Sequence, residues 1–245
     1  MEKSWNLSES LRNEYLTICL EASQFADKLL NFRSTQIYNI VESGDERTAN
    51  MSFNYINKNH PSSLPLIEKY QAMDCVGKPK QFPAGGYLIS DNLLRYIEAF
   101  ARIKSFIGDL SGMNIVEIGA GFGGLGIIIS KEFDIKSYKI IDLWEATMLQ
   151  RKFISIFADV KKFEFFDTIK EMKNVDLVIA MRSWGELSIQ FKERYFDKVI
   201  SNSTNGFFEF GYGSDWEGST KYLDDNLKGK KVKKGLFTYI FRNGY

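Results

Sequence analysis

At 245 residues, the chain has room for one large domain, or for a core domain with an appendage. Apolar residues at 44% and charged residues at 26% are ordinary for a soluble globular protein. The 32 Lys and Arg nearly cancel the 31 Asp and Glu, so no global field draws in nucleic acid or an acidic membrane, and neither is expected as a partner. The opening stretch MEKSWNLSESLRNEYL lacks the apolar core of a signal peptide, and nothing approaches the roughly 20 apolar residues that span a bilayer. Cys19 and Cys75 have no metal-ligand spacing around them and read as free thiols of a reducing compartment. A cytoplasmic location is expected.

Over residues 8–32, Leu11, Tyr15, Ile18, Ala22, Phe25, Leu29 and Phe32 recur at three- and four-residue spacing. That spacing predicts an amphipathic helix, capped by Ser8 or Ser10, whose stripe serves either the core or a homodimer. A shorter helix is expected over 35–42, stopping near Gly44. Pro61, Pro65, Pro79 and Pro83 are all the prolines of the chain. Because proline removes a backbone donor and disfavours helix at its predecessor, the window 50–86 reads as a long irregular segment wrapping the mouth of a site.

Regularity returns at Ser90. SDNLLRYIEAFARIKSFIG offers a Ser or Asp cap, a stripe of Leu93, Leu94, Ile97, Phe100, Ile103 and Ile107, and Gly108 as a stop. Strand and helix signals then alternate. Strands are expected at 114–119, 138–143, 162–166, 175–181, 206–211 and 236–241, with helices near 123–132, 144–157 and 188–202. The alternation predicts an α/β, Rossmann-like fold: a mostly parallel sheet covered on both faces, with an antiparallel C-terminal strand. Residues 1–89 are then a helical N-terminal segment with a proline-rich wrap, and 90–245 the catalytic domain.

The strongest motif is VEIGAGFGGLG, residues 116–126. It follows an apolar strand and opens an apolar helix, the context a nucleotide-binding loop requires. Gly119, Gly121, Gly123 and Gly124 let the backbone turn sharply and a ligand approach without meeting a Cβ. The helix start supplies free N–H groups and a positive dipole end. The same spacing satisfies the dinucleotide fingerprint, so an NAD-dependent oxidoreductase stands as an alternative. Glu117, two residues before the first glycine, favours S-adenosylmethionine, whose ammonium group it would face. The roughly 120 residues after the loop leave little room for the second half of an NAD fold. Asp142, with Leu143 beside it, ends the second core strand, where an acid accepts hydrogen bonds from ribose hydroxyls, or else caps the next helix. Asp167 in FFDT borders the adenine or forms a turn.

VGKP (76–79), GYLIS (86–90) followed by LRY (94–96), NIVEIGAGFGGLG and KIIDLWEATMLQ together resemble the sugar O-methyltransferases of bacterial polysaccharide clusters, within the class I S-adenosylmethionine-dependent superfamily. The similarity covers about residues 74–155 and weakens through DLVIAMRSWGEL (176–187). Asp91 stands where family members often carry proline, which leaves the helix cap intact. The resemblance implies methyl transfer to a sugar hydroxyl, with S-adenosylhomocysteine as product. It leaves open whether the sugar is free, nucleotide-linked or polymeric.

A sugar hydroxyl is a weak nucleophile, so a general base or metal is expected to assist. Ligands of open α/β sheets sit beyond the carboxyl ends of the strands, which singles out Arg182, Ser183, Trp184 and Glu186. Glu186 is the leading base candidate, with His60, the chain's one histidine, as competitor. Arg182 suits a phosphate or the cofactor's carboxylate, Trp184 a sugar face, and Tyr87 the same mouth. Glu209, Tyr212, Asp215 and Glu217 form an acidic, aromatic group for sugar hydroxyls; their spacing matches no metal template, and no metal is expected. Lys228, Lys230, Lys231, Lys233 and Lys234 read as a solvated turn or a diphosphate-binding loop. Another small acceptor and a non-catalytic subunit that kept the fold remain alternatives.

Overall fold

The stripe near the start forms helix α1 (Glu9–Gln24) in the computed structural model, which describes residues 8–42, 44–211, 214–227, 230–235 and 237–242. Ser8 Oγ caps it by accepting from Leu11 N–H at 3.3 Å. The helix stops one residue before an extended Phe25 (φ −117°, ψ 130°), and the short α2 (Ala26–Leu29) follows. That break turns Phe25 to solvent while Leu29 and Phe32 return to the core. Helix α3 (Gln36–Glu42) lies where expected.

The proline window is mostly helical, contrary to expectation. Asp45 and Thr48 form a reciprocal capping box at the start of α4 (Glu46–Asn59). Pro61 opens a 3₁₀ turn and Pro65 opens α5 (Pro65–Tyr70). At the first helical position the missing N–H costs nothing and the fixed φ suits the helix, so these prolines start helices instead of forbidding them. Pro83 sits in a two-stranded antiparallel ribbon of β1 (Gln81–Ala84) and β2 (Tyr87–Ser90).

Ser90 then caps α6 (Asp91–Ile107), which ends at Gly108 with φ 96°. The core alternates: β3 (Asn114–Ile118), α7 (Gly124–Glu132), β4 (Ser137–Ile141), α8 (Trp144–Phe157), β5 (Phe163–Phe166) and β6 (Val175–Met181). After these come α9 (Ile189–Tyr195), which runs on into a π-helical turn, then β7 (Ser203–Glu209), α10 (Trp216–Asn226), β8 (Lys231–Gly235) and β9 (Thr238–Arg242). The seven strands lie in the order β5-β4-β3-β6-β7-β9-β8. All pairs from β5 to β7 are parallel; β9 inserts antiparallel beside β7, and β8 forms the antiparallel edge. This is the Rossmann-like architecture expected.

Helix α10 and strand β8 are additions to that expectation. Lys231, Lys233 and Lys234 of the lysine run lie in an edge strand, with Lys230 just before it, and lysines along an edge discourage pairing with another sheet. Lys228 lies outside the described residues.

Alternation in β3 sends Ile115 to one face of the sheet and Val116 and Ile118 to the other, into two separate cores. The first core is filled from α1, α6, α7 and α8, with α1 packed along α8. Tyr15, Ala22, Leu29 and Phe32 of the stripe are buried there, with Cys19 between them. Among the described residues, no helix is long and apolar enough to cross a membrane.

Candidate active site

The chain runs outward from β3 through β4 to β5, then returns to β6 on the other side of β3. Crossovers leave β3 and β6 in opposite directions, which opens a crevice beyond their carboxyl ends. A cavity of about 280 Å³ lies there.

Its floor is the glycine loop. Gly119 and Gly121 have φ of +70° and +56°, in the left-handed region that side chains disfavour. A Cβ on Gly119 would stand 2.6 Å from Ser183 Cβ, and one on Gly121 would stand 2.8 Å from Glu42 Oε2. Gly123, also left-handed, caps α7, and Gly124 begins that helix.

Three carboxylates gather around this loop. Glu117 is 1% exposed, and the Tyr138 hydroxyl donates to its Oε2 at 2.7 Å. Burial pushes the Glu117 carboxyl up to about 8; the Tyr138 hydrogen bond opposes this, and the charges of Asp142 and Glu42 add to it. Asp142 Oδ2 accepts from Ala120 N–H at 3.1 Å and Gln150 Nε2 at 2.7 Å, while its Oδ1 accepts from Leu143 N–H at 2.8 Å. Burial lifts Asp142 to about 6 against those donors. Glu42, the last residue of α3, lines the same cavity and is likewise pushed upward by burial.

The β6 side is cationic. Arg95, on α6, donates from Nε to Asp91 Oδ2 at 2.7 Å and from Nη2 to the Glu42 carbonyl at 2.5 Å. Arg182 follows β6 with φ +61°, an uncommon conformation for a side-chain-bearing residue. Its N–H donates to the Glu209 carbonyl at 2.7 Å, and its Nε stands 3.6 Å from Glu209 Oε1. Burial and neighbouring Arg95 hold the Arg182 guanidinium below its ordinary value. The Ser183 hydroxyl donates to the Ile118 carbonyl, tying the end of β6 to the end of β3.

The cavity brings together Glu117, Gly119, Gly121, Asp142, Leu143, Asp167, Arg182, Ser183 and Glu186. Other candidates lie elsewhere. Trp184 is 0% exposed, edge-on to Phe208 at 5.6 Å and beside Tyr222 at 6.0 Å, so it fills the core and offers no face to a sugar. His60 ends α4 with its ring 5.6 Å from Tyr55, and Tyr87 packs near Phe53 at 6.3 Å; neither lines the cavity. Glu209 stands behind Arg182 and is not part of the lining. Asp215 caps α10 by accepting from Gly218 N–H at 3.0 Å, with Glu217 in the first turn. Tyr212 lies outside the described residues. Among the described residues, no group of three or more His, Cys, Asp or Glu is arranged to hold a metal.

The lining also holds residues that the sequence did not mark as site candidates: Tyr15, Glu42, Arg95, Tyr96 and Tyr195. Arg95 and Tyr96 belong to LRY, where their polar groups interrupt the run Leu93, Leu94 and Ile97, and that was a usable signal. VGKP does not line the cavity. Gly77, with φ +87°, accepts from Arg33 N–H at 2.9 Å, and a Cβ there would meet Arg33 Cδ at 2.6 Å. Arg33 is buried and ion-paired with Asp74 at 3.1 Å, and its guanidinium lies 4.5 Å from the centre of the Phe122 ring. The motif therefore anchors the arginine that braces the glycine loop from behind.

No protein-family profile and no curated protein matches this sequence. Solved structures similar to it include a proposed RNA methyltransferase from Pyrococcus horikoshii, 18% identical over 63% of this chain and 85% of that one, TM-score 0.49. The pyocyanin biosynthetic protein PhzM is 14% identical over 84% of this chain and 75% of that one, TM-score 0.47. A precorrin-6y C5,15-methyltransferase from Geobacter metallireducens is 15% identical over 58% of this chain and 85% of that one, TM-score 0.45.

Proposed function

We propose that the chain is an S-adenosylmethionine-dependent methyltransferase that methylates a sugar hydroxyl, on a nucleotide-linked sugar of surface-polysaccharide biosynthesis in the cytoplasm. The observation that carries this reading is the gathering of Glu42, Glu117 and Asp142 around a left-handed glycine loop in one cavity. Carboxylates crowded into a poorly solvated space favour an incoming cation, and S-adenosylmethionine carries both an ammonium and a sulfonium. Glu42 and Glu117 oppose NAD, whose pyrophosphate would have to settle on this loop beside them.

The residues present fit the cofactor. Glu117 would accept from the ammonium, Asp142 from the ribose hydroxyls, and Asp167, just past β5, would border the adenine. S-adenosylmethionine supplies an electrophilic methyl carbon when bound. Proximity does most of the remaining work: the acceptor oxygen must be held about 3 Å from that carbon and in line with it. Glu186, on the turn after β6, would take the proton of the acceptor hydroxyl. Arg182 pairs with an anionic group of the acceptor, and Ser183 positions the turn.

Titration calorimetry with S-adenosylmethionine, S-adenosylhomocysteine and NAD tests the cofactor. Binding of NAD alone removes the reading. Methyl transfer to a panel of nucleotide-linked sugars tests the acceptor; transfer to a different small molecule instead would keep the enzyme class and discard the sugar.

A further inference from the structure

The N-terminal helices reach the cavity at one acid. Glu42 ends α3, lines the cavity, and places Oε2 2.8 Å from where a Gly121 Cβ would stand. We propose that Glu42 is a ligand-binding residue, a second carboxylate for the ammonium end of the cofactor, supplied at the Gly121 turn from outside the Rossmann-like core. The inference rests on the cofactor reading above and deepens it by giving Glu42 a specific contact.

Three observations support it. The first is stoichiometry of donors. An ammonium has three N–H groups to satisfy once it leaves water, and one oxygen of Glu117 is already engaged by Tyr138 at 2.7 Å. A second acid at the same turn supplies the missing acceptor. The second is preorganisation. The Tyr15 hydroxyl donates to Glu42 Oε1 at 2.8 Å, and the Glu42 carbonyl accepts from both Asn92 Nδ2 at 2.7 Å and Arg95 Nη2 at 2.5 Å. Helices α1 and α6 thus fix the side chain and the main chain of one residue, which removes ordering cost from binding. The third is electrostatic. Arg95, Arg182 and Arg33 all favour the charged form of Glu42, yet burial outweighs them and the carboxyl is pushed upward. A bound cation relieves that imbalance.

A purely structural Glu42, linking α1 to α6 through Tyr15, is the competing account. Calorimetry on the full chain separates the two with two probes, S-adenosylhomocysteine and 5′-methylthioadenosine, which share the nucleoside and differ in the amino-acid end. In Glu42→Gln, affinity for S-adenosylhomocysteine falls at least about tenfold, the scale of a charge-assisted hydrogen bond, while 5′-methylthioadenosine binds as in the wild type. Equal affinity of wild type and variant for S-adenosylhomocysteine overturns the proposal. So does an equal loss for both probes, which marks a structural role. Should Glu42→Gln fail to fold, Tyr15→Phe keeps the charge and removes its orienting donor: S-adenosylhomocysteine then weakens several-fold with 5′-methylthioadenosine unchanged, and no difference between the probes overturns the idea. A wild-type chain that binds neither probe sinks the cofactor reading itself, and this inference with it.

Discussion

Tyr138 on β4 and Glu117 on β3 share one face of the sheet, and the phenol donates to the carboxylate at 2.7 Å with both side chains buried. The pair sits directly beneath the glycine loop, so the protonation of Glu117 connects the stability of the sheet to the charge of the pocket. Its carboxyl lies near 8, against about 4.3 in an unfolded chain. Between those values the folded chain holds a proton that the unfolded chain has lost, so stability falls as pH rises through that window. Asp142, near 6, adds to the loss in its lower part. The melting temperature of the ligand-free protein should decline from pH 5 to pH 8, and Glu117→Gln should flatten the decline. A wild-type profile that rises or stays level over this range contradicts the assignment.

Gly121 gives a test of the loop. Alanine there must adopt φ +56°, at a cost of about 1–2 kcal/mol, and its Cβ meets Glu42 Oε2 at 2.8 Å and the Tyr96 hydroxyl at 3.0 Å. Gly121→Ala should lower Tm by several degrees and abolish binding of S-adenosylhomocysteine, read by thermal shift with and without the ligand. Retained affinity would place the ligand elsewhere.

Arg33 and Asp74 form an ion pair whose side chains are 0% and 1% exposed. Removing one partner of such a pair strands the other, so Arg33→Ala should cost about 3–5 kcal/mol in urea denaturation. The exposed pair Lys221–Asp225 is the control: Lys221→Ala should cost under about 1 kcal/mol. Comparable losses for the two variants would show that the buried pair is not the anchor described here.

At the acceptor side, Glu186→Gln should lower turnover at least about tenfold while leaving affinity for S-adenosylhomocysteine nearly unchanged. His60→Ala should alter neither, since His60 packs beside Tyr55 at the end of α4 and does not line the cavity. Full activity in the first variant removes Glu186 as the base, and lost activity in the second returns His60 to the candidates.

How much of this could be read in the chain itself follows the range of the forces involved. The glycine loop, Asp142 and the alternation of strands and helices around them were legible because local periodicity and glycine spacing state them within a few dozen residues. The proline window misled because Pro61 and Pro65 act as helix starters once a capped first position is available, and the pattern alone does not distinguish starter from breaker. Trp184 looked like a binding residue by its place after β6, but the 3₁₀ turn there points its ring into the core. Glu42 carried no local signal at all. Its role depends on α1 and α6 converging on the loop, contacts between residues far apart in sequence.

That convergence has a consequence for folding. Residue 42 reaches residue 121, and α1 lies along α8, so the pocket is assembled from segments whose meeting closes long loops. During refolding, helical content should therefore recover ahead of the ability to capture nucleoside, and the lag between circular dichroism and ligand-induced signal measures the docking of residues 8–42.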